Sequence, residues 1–290
     1  MITCYLMGGI GNQLFQIFTV IASGIQNGKP FLFPNLKELG GGNTTIRKTY
    51  WDTLFSNIIV IPPEKFPEQM CLIKEKDYRY NELPIRFARD NHILLYGYFQ
   101  SYKYFSAEYK TIYKQLKFDD KKKELTEKLN FIDFENTICL HFRIGDYKLV
   151  SDYHPLLDLQ YYLDSLSYIS EIYPCKKFTV YYCCEDTDLA DVLISINLLK
   201  DTFNTFTFIR CTNDLHDWEQ LLFMSLCQHN IIANSSFSWW GAFLNNYENK
   251  IVCYPSLWFG PKAPHETTDL IPSGWKCIQT TYTPFNAPYP

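Results

Sequence analysis

Residues 141–147 read His141-Phe142-Arg143-Ile144-Gly145-Asp146-Tyr147. An imidazole, a guanidinium, a glycine and a carboxylate in one short segment are the makings of an anion site. The planar arginine fork can give two parallel hydrogen bonds to a phosphate. The segment follows Asn136-Thr137-Ile138-Cys139-Leu140, whose apolar residues predict a buried strand. The four groups would then stand at a strand tip, the edge at which open α/β sheets bind ligands. The bland alternative is a buried His141–Asp146 pair with Arg143 as a surface cation. A lone histidine would favour that alternative; four such groups together argue against it.

Three more segments carry chemistry. Gly8-Gly9-Ile10-Gly11-Asn12-Gln13-Leu14 lies between a first strand and a first helix. Glycines there let a ligand approach the backbone, and a helix N-terminus favours an anion. Gly9-x-Gly11 is not a dinucleotide fingerprint, because Leu14 stands where the third glycine belongs. Asn12 and Gln13 add amides able to bond sugar hydroxyls. Gly9, Gly11, Asn12 and Gln13 are therefore candidate donor contacts, against the alternative of a tight turn without a ligand. Ala233-Asn234-Ser235-Ser236-Phe237-Ser238-Trp239-Trp240-Gly241 follows the strand-like Ile231-Ile232. Serines at a helix start suit phosphate but also serve as ordinary caps. Trp239 and Trp240 read as core. Gly97-Tyr98-Phe99-Gln100-Ser101 closes another strand and is weak alone. Asp186-Thr187-Asp188 could hold a divalent metal on a diphosphate. It reads more readily as the acidic start of a helix.

Those segments need a frame. Strand-like runs at Ile2–Leu6, Ile93–Phe99, Ile138–Phe142, Phe178–Cys183, Phe206–Arg210, Asn230–Asn234 and Ile251–Tyr254 alternate with helical patterns. A helix is predicted from about Asn12 to Ile25. Leu159, Tyr162, Leu163 and Leu166 give another. Leu215, Trp218, Leu221, Leu222, Ser225 and Leu226 give a third with one buried face. The run Asp119–Glu124 reads as a solvated surface segment. Strand–helix alternation means parallel sheet with right-handed crossovers. Two such series predict two α/β domains, residues 1–130 and 131–290, and an irregular tail over 282–290.

At 290 residues the chain has material for one large domain or two moderate ones. A net charge of −4 favours neither nucleic acid nor an anionic membrane as partner. No apolar run reaches the length of a membrane span. Met1-Ile2-Thr3-Cys4-Tyr5-Leu6 lacks a basic leader, so no signal peptide is expected. Several of the ten cysteines sit in apolar strands and none forms a Cys-x-x-Cys pair. Reduced thiols in a cytoplasmic protein are expected. The 22 Tyr and 22 Phe suit a core and also sugar-binding clefts.

Taken in order, the motifs resemble the bacterial-type α-1,2-fucosyltransferases. The matching segments are Gly9–Gln16, Gly97–Ser101 with Tyr104-Phe105, His141–Tyr147, Met224–Cys227, Asn230–Ala242, and Asp269-Leu270-Ile271-Pro272 with Trp275. They span nearly the whole chain. The resemblance implies a GT-B fold of two Rossmann-like domains facing across a cleft. It implies inverting transfer of L-fucose from GDP-β-L-fucose to a galactose 2-hydroxyl, with no metal and no other cofactor. The partners would be a nucleotide-sugar donor, held mainly by the C-terminal half, and a galactose-containing glycan acceptor. Arg143 matches the arginine on the diphosphate, and His141 a position near the nucleotide. Ser235, Ser236, Phe237 and Ser238 match the loop around phosphates and guanosine. His154 matches a histidine frequent in bacterial members. With Tyr98 and Gln100 it is a candidate acceptor contact.

Two positions depart from the pattern. Ile144 stands where many members carry a second arginine, which leaves Arg143 as the single cation. Gln220 stands near the position of an acid that would bind guanine. Glu219 or Asp217 is then expected to serve, or Gln220 bonds the base differently. Arg143 and Asp146 are the catalytic candidates, and Asp146 has two readings: general base, or ion-pair buttress for Arg143. Rival functions are a transferase of another GDP-sugar, such as GDP-rhamnose or GDP-mannose, a non-catalytic sugar-nucleotide or glycan-binding protein, and a nicotinamide-dependent oxidoreductase.

Overall fold

The computed structural model describes residues 1–41, 45–88, 92–211 and 214–284. The chain divides into two compact units: residues 1–124 with 266–272, and residues 125–265 with 273–290. The end of the expected irregular tail, residues 285–290, lies outside the described residues.

The first unit opens with β1 (Ile2–Cys4) and α1 (Ile10–Asn27). Apolar residues at helical spacing bury α1 along most of its length, and Gly28 ends it in the left-handed conformation at φ +60°. Short strands follow: β2 (Phe33–Pro34), β3 (Glu38–Leu39), β4 (Arg47–Lys48) and β5 (Val60–Ile61). Then come β6 (Cys71–Lys74), β7 (Ile93–Tyr96) and α2 (Tyr109–Gln115). A parallel sheet runs β1-β7-β6, and β2 pairs in parallel with β5. Ile2 also bridges to Phe31, just before β2. α1 packs aromatic rings on the elements after β7: Phe18 meets Phe105 edge-on, with ring centroids 5.3 Å apart.

Residues 266–272 complete this unit through Asp269. Its carboxylate accepts from the Tyr80 amide at 2.9 Å and pairs with Lys103, and its carbonyl accepts from Ser101 Oγ at 2.7 Å. The Asp269-Leu270-Ile271-Pro272 signature is thus a hydrogen-bonded return to the sheet of the first unit.

α3 (Phe118–Lys128) carries the charged run and is largely solvated, as expected. Lys122 is the exception: it is buried, with its ammonium over the Tyr113 ring.

The second unit alternates β8 (Thr137–His141), α4 (Leu159–Ile172), β9 (Thr179–Cys183), α5 (Leu189–Thr202), β10 (Thr207–Arg210), α6 (Asp217–Leu226), β11 (His229–Ile231), α7 (Ser236–Phe243), β12 (Val252–Pro255) and β13 (Lys276–Ile278). All six strands are parallel, in the order β10-β9-β8-β11-β12-β13. Strand–helix alternation required parallel pairing, and both halves of the chain show it. β8 is buried along its whole length, as a central strand covered on both faces must be. α6 departs from the one-sided pattern: all of Leu221–Ser225 is buried. The cause is close approach of α7, where Gly241 meets Met224 so closely that a Cβ would lie 2.6 Å from the Met224 Cβ. All ten cysteines are free thiols. No helix among the described residues is long and apolar enough to cross a membrane.

Candidate functional site

The strand order of the second unit fixes where a ligand can sit. The chain builds outward from β8 to β9 and β10, then returns past β8 to add β11, β12 and β13. At such a switch point the connections leave in opposite directions, opening a crevice at the carboxyl ends of the two central strands. Those strands are β8 and β11. Their exits are His141–Tyr147 and Asn234–Ser238, the two segments singled out above.

His141 ends β8 and is buried. Its ring lies 5.6 Å from that of Phe237, so the two exits touch. Burial, reinforced by the charge of Arg143, lowers the imidazole from the ordinary 6.5 to about 3. His141 is therefore neutral at working pH. Its Nδ1 is buried without a hydrogen-bond partner among the described residues. An orphaned buried polar atom at a switch point is a natural ligand contact.

Arg143 follows on the same exit. One nitrogen of its fork, Nη2, pairs with Asp146 at 2.5 Å, and the other, Nη1, with Glu185. The guanidinium lies over the Tyr147 ring at 4.9 Å. Behind that ring His154 stacks at 4.8 Å, then Phe259 at 5.7 Å. Tyr147 also donates its hydroxyl to the Asn234 carbonyl at 3.1 Å, and Asn234 is braced against the Pro155 and Trp258 carbonyls. The arginine therefore rests on a stacked Tyr147–His154 pair tied to the second exit, with Phe259 tilted against His154. Gly145 makes this turn possible. It sits at φ +24°, where side chains strain the backbone, and its amide donates to Asp188 at 2.7 Å.

On the β11 exit, Ser235 caps α7 by accepting from the Phe237 amide at 3.3 Å. The positive end of the helix thus lies at the same edge as Arg143. Ser238 is buried and turned to the Ala233 and Ser235 carbonyls. Both capping and ligand-facing readings of the serines started from this helix start, and the capping bond is present.

Other candidates lie elsewhere. Glu219 is buried at the start of α6. One carboxylate oxygen accepts from the His216 amide and the other pairs with Lys128, each at 2.8 Å. No described contact joins it to Arg143. His154, grouped above with acceptor contacts, supports Tyr147 from behind. The acids Asp186 and Asp188 are divided: Asp186 pairs with Arg210, while Asp188 takes the Gly145 amide and makes no side-chain cap to α5. Among the described residues no group of three potential ligands gathers around a metal site.

The first unit places Gly9, Gly11, Asn12 and Gln13 beside the tip of β7. Gly8 sits at φ +76°, a left-handed conformation in which a side chain would strain the backbone. Gln100 donates to Asn12 Oδ1 at 2.9 Å. Gln13 is not placed to meet a sugar. It is fully buried, and its amide donates to the Gly8 and Lys48 carbonyls at 3.1 and 2.8 Å. The Tyr98 amide donates to Glu75 at 2.7 Å, and Phe99 takes a left-handed φ of +52°. A buried aromatic in that region is strained, and the surrounding packing must hold it there.

A family model described as glycosyl transferase family 11 matches residues 52–275. The chain belongs to glycosyl transferase family 11. It is thus an enzyme, a glycosyltransferase, and the resemblance read from its motifs holds. An α-1,2-colitosyltransferase of Escherichia coli is 27% identical over 94% of this chain and 97% of its own length. The O-antigen biosynthesis glycosyltransferase WbnK of Escherichia coli is 35% identical over 43% of this chain and 39% of its own. A galactoside 2-α-L-fucosyltransferase of Caenorhabditis elegans is 24% identical over 98% and 77%.

The neutral histidines of this unit give a stability prediction. Burial lowers His229, stacked on Tyr173 and accepting from the Ile251 amide, to about 4. Between these depressed values and 6.5 the unfolded chain binds more protons than the folded one. Stability is therefore whole above about pH 6.5 and drains away as pH falls, through about 4 for His229 and about 3 for His141. Each unit of depression is worth about 1.4 kcal/mol. A melting-temperature profile from pH 7 to 4 should fall steadily, and His229→Gln should flatten it. A flat wild-type profile refutes the assignment.

Proposed function

We propose that this glycosyltransferase moves L-fucose from GDP-β-L-fucose to the 2-hydroxyl of a galactoside, inverting the anomeric centre and needing no metal. The observation that carries the proposal is the meeting of Arg143, neutral His141 and the α7 N-terminus at the β8/β11 switch point. In this reading the second unit binds the donor and the first receives the acceptor, the division of labour of a GT-B enzyme.

As the glycosidic bond breaks, negative charge grows on the β-phosphate and the sugar becomes oxocarbenium-like. Arg143 and the α7 dipole meet that charge where it develops, and being fixed they need no reorganisation. His141 stays neutral and offers a hydrogen bond without a competing charge. The acceptor hydroxyl attacks from the opposite face. Asp146 is a candidate to take its proton, although its pairing with Arg143 favours the buttress reading.

A second reading concerns the sugar. The colitosyltransferase relative covers most of this chain, and colitose is L-fucose without the 3-hydroxyl. A site that hydrogen-bonds this hydroxyl would reject colitose by about 10⁴. Purified enzyme given lactose with GDP-fucose, GDP-colitose or GDP-mannose separates the readings, with linkage assigned by NMR. An α-1,2-fucosylated product is expected. Transfer from GDP-mannose alone overturns the proposal. Excess EDTA should leave the rate unchanged; abolition reversed by manganese would return Asp186 and Asp188 to the mechanism.

A further inference from the structure

The fork of Arg143 is already engaged at both nitrogens, by Asp146 and Glu185. Its side chain is only 18% exposed, and Tyr147 covers one face. Two carboxylates around one guanidinium leave this strand tip net negative. A diphosphate approaching Arg143 must therefore displace a carboxylate or be repelled.

We propose that Glu185 is an internal competitor for the donor's phosphate, a carboxylate that holds Arg143 until the diphosphate takes its place. The inference rests on Arg143 being the diphosphate anchor. Two observations select Glu185 over Asp146, which is equally exposed at 52%: its origin on another strand tip and the room it has beside Gly145. Glu185 comes from the neighbouring strand tip, just after β9, and reaches across to the β8 exit. It lies against Gly145, where a Cβ would stand 3.0 Å from Glu185 Oε2, so the missing side chain leaves it room. Its side chain is 53% exposed, and it can turn into water with little loss of solvation. Asp146 sits on the same turn as Arg143, three residues on, and travels with it.

Such a competitor does two things. It raises the threshold for anions at Arg143, so a weakly held phosphate loses to Glu185 while a nucleoside diphosphate, anchored also by its base, wins. It also re-forms its pair as the nucleotide leaves, which favours product release.

The test is calorimetric titration of GDP into wild-type enzyme and into Glu185→Gln, Asp146→Asn and Arg143→Ala, each checked for an unchanged melting temperature. The glutamine keeps size and removes charge. Glu185→Gln should bind GDP about 2- to 5-fold tighter, the scale of one partly exposed ion pair. Its KM for the donor should fall in the same proportion. A purely structural glutamate would weaken binding when neutralised. Equal or weaker binding in Glu185→Gln, with binding still lost in Arg143→Ala, overturns the competitor and makes Glu185 a buttress. Undiminished binding in Arg143→Ala, or none in wild type, overturns the underlying anchor assignment instead.

Discussion

Arg143→Ala is expected to lower the transfer rate about 100- to 1000-fold, the loss of roughly 3 kcal/mol seen when one preorganised charge-stabilising donor is removed. Ile144 leaves no second arginine beside it to share the task. The fold should tolerate the change. Asp146 and Glu185 are about half exposed and stay solvated without their partner. Partly exposed ion pairs contribute about 0–1 kcal/mol. The melting temperature should therefore stay near that of wild type while GDP binding falls. Arg143→Lys is no rescue, because a single ammonium cannot span both fork positions or lie flat on Tyr147. The measurement is initial-rate kinetics with GDP-fucose alongside a thermal melt. Wild-type turnover in Arg143→Ala would remove this arginine from the mechanism.

Much of the second unit was legible because its signals are local. β8 is a continuous apolar run ending in charged groups, and α7 opens on Ser235 after a short strand. Each needs only its own neighbours in sequence to be read. What escaped depends on neighbours in space. Glu185 follows β9, but nothing in the sequence says that β9 lies beside β8, so its reach to Arg143 could not be read. Gln13 looked like a sugar contact because it follows a glycine turn. The Lys48 carbonyl that fixes it is 35 residues away. β6 and β13 are four and three residues long and carry lysine, too short for a period to show. The pairing of Asp269 with Tyr80, across 189 residues, has no sequence signal beyond the motif itself. Periodicity reads faces and ends; strand order, which decides what those ends meet, is a property of the assembled sheet.

Trp239→Ala tests how the donor-side helix is held. Trp239 is fully buried, stacked on Phe243 at 4.6 Å, edge-on to Trp240 at 5.2 Å and 5.6 Å from Trp275. Truncating such a side chain costs about 3–5 kcal/mol, from lost burial and from the cavity left behind. The cavity cannot close easily. α7 is already pressed against α6 at Gly241 and Met224, so it has no free path inward. The remaining slack falls on the start of the helix, where Ser235 caps the amides proposed to face phosphate. Unfolding is best followed by tryptophan fluorescence, because Trp218, Trp239, Trp240, Trp258 and Trp275 all lie in the second unit and only Trp51 in the first. The urea midpoint of that signal should drop sharply with an unchanged slope. GDP affinity, measured well below the new midpoint, should fall as well, because a loosened α7 no longer fixes its N-terminus. A loss under about 1 kcal/mol, far below the range for a buried tryptophan, would show that the site can repack. Full GDP affinity in a destabilised variant would instead separate the stability of α7 from phosphate binding, and leave the anchoring to Arg143 alone.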